Sequence, residues 1–161
     1  MKNKFGFILV KPQLGENIGA CARSMKNFGF STLYIVDPKI NFPNHKAKVT
    51  SVGAYDIIKK AKVFNKIENA IEPFNLIISL SARRRDINKQ HITVNEFKNI
   101  IKRKNLNIGL MFGPEASGLS NNDLSFSNYI LQIPTSSKFK SLNLSHSLTL
   151  ICYEIFKSLN K

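Results

Sequence analysis

The residues whose types and spacing can do chemistry fall into three short segments. Asn17 and Arg23 lie six apart in Gly15-Glu16-Asn17-Ile18-Gly19-Ala20-Cys21-Ala22-Arg23. Glu115 lies in the glycine-marked stretch Phe112-Gly113-Pro114-Glu115-Ala116-Ser117-Gly118-Leu119. Ser141, Asn143 and Ser145 alternate in Ser141-Leu142-Asn143-Leu144-Ser145, downstream of Ile133-Pro134. Short amide and hydroxyl arms orient a bound group by hydrogen bonding, a carboxylate accepts from amides, and a guanidinium holds anions without giving up its proton. Each also has a plain structural role. Asn17, Ser141 and Asn143 stand where helix N-caps stand, a role worth about 1 kcal/mol, and Arg23 lies off the apolar stripe of its helix as an ordinary solvated charge. Glycines at 113 and 118 let the backbone approach a ligand or take positive φ.

The elements that must position these residues follow from hydrophobic periodicity. Phe5 to Val10, Thr32 to Val36, Asn75 to Leu80, Asn107 to Phe112 and Tyr129 to Ile133 are nearly continuous apolar runs, the pattern of strands buried on both faces of a parallel sheet. Between the first two, Ile18, Cys21, Ala22, Met25 and Phe28 recur at three- and four-residue intervals, with Gly29 as a stop, so a helix packs on the sheet. Leu144, Leu148, Ile151, Ile155 and Leu159 form one stripe of a closing helix, while Glu154, Lys157 and Ser158 face away. Helical patterns around Ala47 to Ile58 and Ile67 to Phe74 flank a short strand near Lys62 to Phe64, and Lys98 to Asn107 reads as a helix end and a turn. No repeat or linker divides the sequence, so a single α/β domain over residues 1–161, without a C-terminal extension, is expected. Three loops, Leu80-Ser81-Ala82, Phe112 to Gly118 and Ile133 to Leu142, each follow an apolar run directly and can converge on one crevice at the carboxyl ends of the strands.

Composition narrows the partners. With 24 Lys+Arg against 10 Asp+Glu, the formal net charge is +14, a field that concentrates polyanions, nucleic acid first. Anionic membrane is the rival, but there is no 18-residue apolar run, no signal peptide and no single basic amphipathic helix. A cytoplasmic protein with no membrane partner is expected. Cys21 and Cys152 show no CxxC pattern, and His45, His91 and His146 have no recognised ligand spacing, so reduced thiols and no metal are expected.

The ordered triple of segments resembles the three signature motifs of the SPOUT RNA methyltransferases, of the class that methylates ribose 2′-oxygens. The first motif, from Pro12 to Gly29, and the closing Ser141-Leu142-Asn143-Leu144-Ser145-His146 with Tyr153-Glu154 most resemble the TrmJ group. That resemblance implies a parallel-sheet SPOUT fold whose C-terminal portion makes a deep trefoil knot, an exception to the rule against threaded chains. It also implies a homodimer and S-adenosylmethionine as methyl donor. The three loops offer many backbone N–H and C=O groups but little side-chain charge, which suits an adenine nucleoside with a sulfonium and an amino acid tail. The donor contacts implied are Leu80, Ser81, Ala82, Gly113, Ile133, Lys140, Ser141 and Leu142. The catalytic set implied is Arg23 first, then Asn17, Glu115 and Asn143, then Ser141 and Ser145. The resemblance makes Arg23 the base, but a guanidinium that stays charged, grips the adjacent phosphate and stabilises an incipient alkoxide is physically easier, with water as proton acceptor.

The basic cluster Arg83-Arg84-Arg85 follows directly on the first donor loop and can grip RNA phosphates together with Arg23 and Lys138. Phe139, between Lys138 and Lys140, can stack on a base or be buried. The TrmJ resemblance implies tRNA as substrate and position 32 of the anticodon loop as target; position 34 or an rRNA ribose stays open. A noncatalytic RNA-binding module would explain the charge without needing Asn17, Arg23 and Glu115. An ordinary dinucleotide- or ATP-binding enzyme would need a GxGxxG or GxxxxGK[ST] that the sequence lacks.

Overall fold

A computed structural model of the chain describes residues 4–160. In chain order its elements are β1 (Lys4–Val10), α1 (Gly15–Asn27), β2 (Leu33–Val36), α2 (His45–Ser51), a 3₁₀ turn (Val52–Ala54), α3 (Tyr55–Lys60), β3 (Lys62–Phe64), α4 (Ile67–Ile71), β4 (Leu76–Leu80), β5 (Gln90–Ile92), α5 (Val94–Ile101), β6 (Asn107–Phe112), α6 (Asn121–Leu124), β7 (Tyr129–Leu131) and α7 (Leu144–Leu159). The strands form one sheet in the order β3-β2-β1-β6-β4-β7-β5, and every pairing is parallel. Both late strands enter between earlier ones. β6 lies between β1 and β4, and β7 lies between β4 and β5.

The apolar runs are continuous because both faces of the sheet are covered. Phe7 and Leu9 of β1 belong to one core cluster with Ile18 and Met25 of α1, Phe97 and Ile101 of α5, and Leu148 and Ile155 of α7. Their alternates Ile8 and Val10 belong to the other, with Ile67 and Ala70 of α4 and Leu124 of α6. Period-two alternation thus feeds two cores from one strand. Cys21 and Cys152 are buried free thiols, and burial pushes both up from the ordinary thiol range.

The structure differs from the sequence reading at particular elements. β7 ends at Leu131 rather than Ile133, so Ile133 belongs to the loop. The strand β5 was not expected. Leu159 is 43% exposed and outside the buried stripe, whereas Glu154 does not simply face solvent: it pairs with Lys98 of α5 at 3.1 Å, tying α5 to α7. Asn17 is not an N-cap. Leu14 holds that place in extended backbone, leaving the Asn17 side chain free for another partner.

Candidate functional site

Strands β6, β4 and β7 are adjacent and parallel, so the loops after Phe112, Leu80 and Leu131 leave the same edge of the sheet. They enclose a cavity of about 340 Å³. All eight residues that the sequence assigned to the donor line it: Leu80, Ser81, Ala82, Gly113, Ile133, Lys140, Ser141 and Leu142. So do Glu115, Arg83 and Arg85. Glycines shape one wall of the cavity. The loop after β6 turns back so tightly that a Cβ on Gly113 would stand 2.3 Å from the Leu119 nitrogen and 2.5 Å from the Gly118 carbonyl carbon, and Gly118 has φ +69°. A side chain at either glycine would move the wall itself.

Glu115 fixes the neighbouring wall. One of its oxygens accepts the Gln13 backbone N–H at 2.8 Å, and the Gln13 side-chain oxygen accepts from the Ala116 backbone N–H at 2.9 Å. This reciprocal pair binds the approach to α1 to the loop after β6. Burial raises the Glu115 carboxyl above its ordinary range, against the opposing effect of the Gln13 hydrogen bond.

A second polar unit joins α1 to α7. Asn143 is the N-cap of α7: its side-chain oxygen accepts from the Ser145 backbone N–H at 2.9 Å and from the Ser145 hydroxyl at 2.7 Å. The cap fixes the orientation of the Asn143 amide. Its NH₂ group therefore points the other way and donates to the Asn17 side-chain oxygen at 3.2 Å. The NH₂ of Asn17 keeps no partner among the described residues. Two turns further along α1, the Thr149 hydroxyl donates to the Ser145 carbonyl at 2.6 Å, so the Ser24 hydroxyl must donate to Thr149 across 2.5 Å. Asn17, Asn143 and Ser145 do not line the cavity but adjoin it through Leu142 and Leu144, which do.

The cationic residues separate. Arg23, beside Ser24 on α1, is exposed and lies apart from the cavity walls, with no hydrogen bond or ion pair among the described residues. Arg84 and Lys138 are also exposed and off the walls, and Phe139 is 78% exposed rather than buried. Arg85 is half-buried and held inside the protein by several hydrogen bonds.

Residues 4–153 match the model described as the SpoU rRNA Methylase family. The chain belongs to the SpoU methylase family. Among its relatives, the tRNA (cytidine-2′-O-)-methyltransferase TrmJ of Methanocaldococcus jannaschii is 38% identical over 152 residues, which cover 92% of this chain and 66% of that protein. The tRNA (cytidine/uridine-2′-O-)-methyltransferase TrmJ of Sodalis glossinidius is 33% identical over 157 residues, 96% of this chain and 61% of that one. The crystal structure of TrmJ from Z. mobilis ZM4 superposes with a TM-score of 0.91 at 34% identity, covering 97% of this chain and 70% of that chain. The chain thus spans slightly less than two thirds of these curated relatives' lengths.

Sequence reasoning missed some residues of this candidate site. Gln13, which clamps the Glu115 loop, lies within the first motif, so its position carried a signal although its partner did not. Ser147 of α7 lines the cavity, and its place one turn after Asn143 was the only available hint. The Ser24–Thr149 contact had no local signature, because its partners are 125 residues apart.

Proposed function

We propose that the chain transfers a methyl group from S-adenosylmethionine to a ribose 2′-oxygen of tRNA, at position 32 of the anticodon loop. The observation that carries this is the convergence of all eight expected donor residues on one cavity, with Glu115 in its wall. The cavity suits the donor: its volume falls within the range of small-molecule sites, and its glycine-marked loop can bring backbone hydrogen-bonding groups close to a ligand, with Arg83, Arg85, Lys140 and Glu115 as the charged side chains of the lining. When bound, S-adenosylmethionine supplies a methyl already activated on sulfur.

The chain's own residues do the rest. The free NH₂ of Asn17, oriented through Asn143, can donate to a ribose oxygen and hold it in line. Arg23 stays charged, grips the neighbouring phosphate and stabilises the negative charge that grows on the 2′-oxygen as its proton passes to water. Glu115, through Gln13, keeps the α1 approach and the cavity wall at a fixed separation. Arg83, Arg84 and Lys138 add phosphate contacts.

In the same reading the protein works in the cytoplasm as a homodimer, and its C-terminal portion forms the trefoil knot. The dimer is supported by Tyr153 and Phe156 of α7, each 44% exposed and packed against Phe28 of α1. The knot is supported by the late entry of β6 and β7 between strands built from earlier residues.

The test is to incubate the purified protein with unmodified total tRNA and labelled S-adenosylmethionine, with Arg23→Ala alongside, and to map the methyl group by nuclease digestion and mass spectrometry. A 2′-O-methyl at position 32 that the variant does not make is the expected result. A methyl at position 34 or in rRNA would change the target. Tight tRNA binding without transfer would leave an RNA-binding module.

A further inference from the structure

The three consecutive arginines after β4 look alike in sequence, yet the fold treats them differently. Arg84 is exposed and free of the walls, whereas the Arg85 guanidinium is folded inward between two loops. Its Nε donates to the Ser81 hydroxyl oxygen at 3.4 Å, on the loop after β4. Its Nη2 donates to the Leu119 carbonyl, and its Nη1 donates to the Asn121 side-chain oxygen at 3.3 Å, both on the segment after β6. Nη2 also lies 4.0 Å from where a Gly118 Cβ would stand, so the fork covers the turn that Gly113 and Gly118 make possible. The backbone is fixed as well, since the Arg85 N–H donates to His91 Nε2 at 3.1 Å, the ring next to β7 in the sheet.

Ser81, Leu119 and Arg85 itself all line the cavity. One planar cation therefore fastens two of the three cavity walls to each other, and lysine could not do the same because its single ammonium cannot span acceptors on separate loops.

We propose that Arg85 is a positioning residue, a latch that holds the loops after β4 and β6 at the separation the donor needs, and that Arg84, the one member of the triplet outside the lining, supplies an RNA contact. This rests on reading the cavity as the donor site. The arrangement divides one basic run into two tasks. RNA affinity follows the outward Arg84, and donor affinity follows the inward Arg85. Desolvation favours keeping the inward cation only while its acceptors are in place, so loss of Leu119 or Asn121 as partners would release it and open the wall.

The test measures both affinities in Arg85→Ala, Arg85→Lys and Arg84→Ala. Isothermal titration with S-adenosylmethionine and filter binding of unmodified tRNA supply the two constants. For Arg85→Ala the donor Kd should rise about tenfold or more, the loss of one or two charge-assisted hydrogen bonds, with tRNA affinity within about twofold. Arg85→Lys should be nearly as poor for the donor, and the donor KM should rise more than kcat falls. Arg84→Ala should show the reverse pattern, weaker tRNA and an unchanged donor. An Arg85→Ala variant that loses tRNA affinity while binding the donor normally would overturn the latch and return Arg85 to the phosphate-binding set.

A second readout does not depend on the donor. Hydrogen–deuterium exchange without ligand should speed up over residues 82–91 and 114–119 in Arg85→Ala, and to a smaller degree in Asn121→Ala, which removes one acceptor at an exposed position. Unchanged exchange in both segments would also sink the proposal. If the wild-type protein does not bind S-adenosylmethionine, the functional reading fails, and the exchange comparison still decides whether Arg85 ties the two loops together.

Discussion

The role proposed for Arg23 rests on its position and charge rather than on basicity. The side chain is exposed, with no hydrogen bond or ion pair among the described residues. Removing it should therefore cost the transition state rather than the fold: Arg23→Ala is expected to lower the single-turnover rate by about 100-fold or more, with an unchanged melting temperature. Arg23→Lys separates two roles. A measurable rate would mean that charge alone suffices, and a rate as low as that of alanine would mean that the planar fork positions a phosphate. Glu115 makes a different prediction, because burial raises its carboxyl. A carboxyl whose folded-state pKa lies above its unfolded value binds its proton more tightly in the folded protein, so its contribution to stability is present at low pH and lost as pH rises through the raised value. Glu115→Gln stays neutral throughout. The difference in melting temperature between Glu115→Gln and wild type should shift in favour of the variant as pH rises from about 4 towards neutrality, whereas a constant difference would show that the carboxyl is not raised.

At the scale of elements, the cap of α7 also bonds to α1 beside the cavity, and one substitution can separate the cap from its part in the proposed function. Asn143→Asp keeps an oxygen to accept from Ser145 and so keeps the cap, but it removes the NH₂ that donates to Asn17. Stability should hold within about 0.5 kcal/mol while methyl transfer falls, measured by thermal melts beside rate assays. Equal activity would show that the Asn17–Asn143 bond only joins two helices. That Asn143 caps a helix was legible beforehand, since a short polar residue preceded a clear apolar stripe. The bond to Asn17 was not, because nothing local links positions 126 residues apart. Strand legibility followed the same divide. Buried strands β1, β4 and β6 announced themselves as apolar runs, whereas Gln90-His91-Ile92 has one buried apolar residue and is a strand only because it pairs with β7 at the sheet edge. Asn17 was placed at a helix start because polar residues favour caps, but α1 begins at Gly15 without a side-chain cap, leaving Asn17 for the site. The convergence of three loops was foreseeable from their common position after apolar runs. The sorting of the arginine triplet into outward and inward members was not, because it depends on what lies across the cavity.

At the scale of the whole molecule, a net charge of +14 attracts a polyanion from many directions, so on the proposed function affinity for tRNA should fall steeply with salt. If Arg84 makes one of the phosphate contacts, Arg84→Ala should weaken binding to different tRNAs alike and reduce the slope of log Kd against log salt by about one; an unchanged slope would remove it from the interface. The apolar face of α7 makes a separate prediction about assembly. Leu150, Tyr153, Phe156 and Leu159 are each close to half-exposed, and Phe28 of α1 packs its ring against Tyr153 and Phe156 at centroid distances of 6.2 and 5.7 Å. An aromatic ridge across two helices is costly to leave in water and suits a second copy of itself, because a two-fold axis brings the same patch to both sides. Tyr153→Glu would place two carboxylates against each other across that axis while disturbing little within one protomer, where the ring is close to half-exposed and contacts Phe28 and the Lys157 ammonium. Light scattering after gel filtration should show a dimer for wild type and a monomer for Tyr153→Glu, with circular dichroism unchanged. A variant that stays dimeric would locate the interface elsewhere. A monomer with full methyl-transfer activity would mean that one copy of Arg23, Asn17 and the cavity completes the site without its partner.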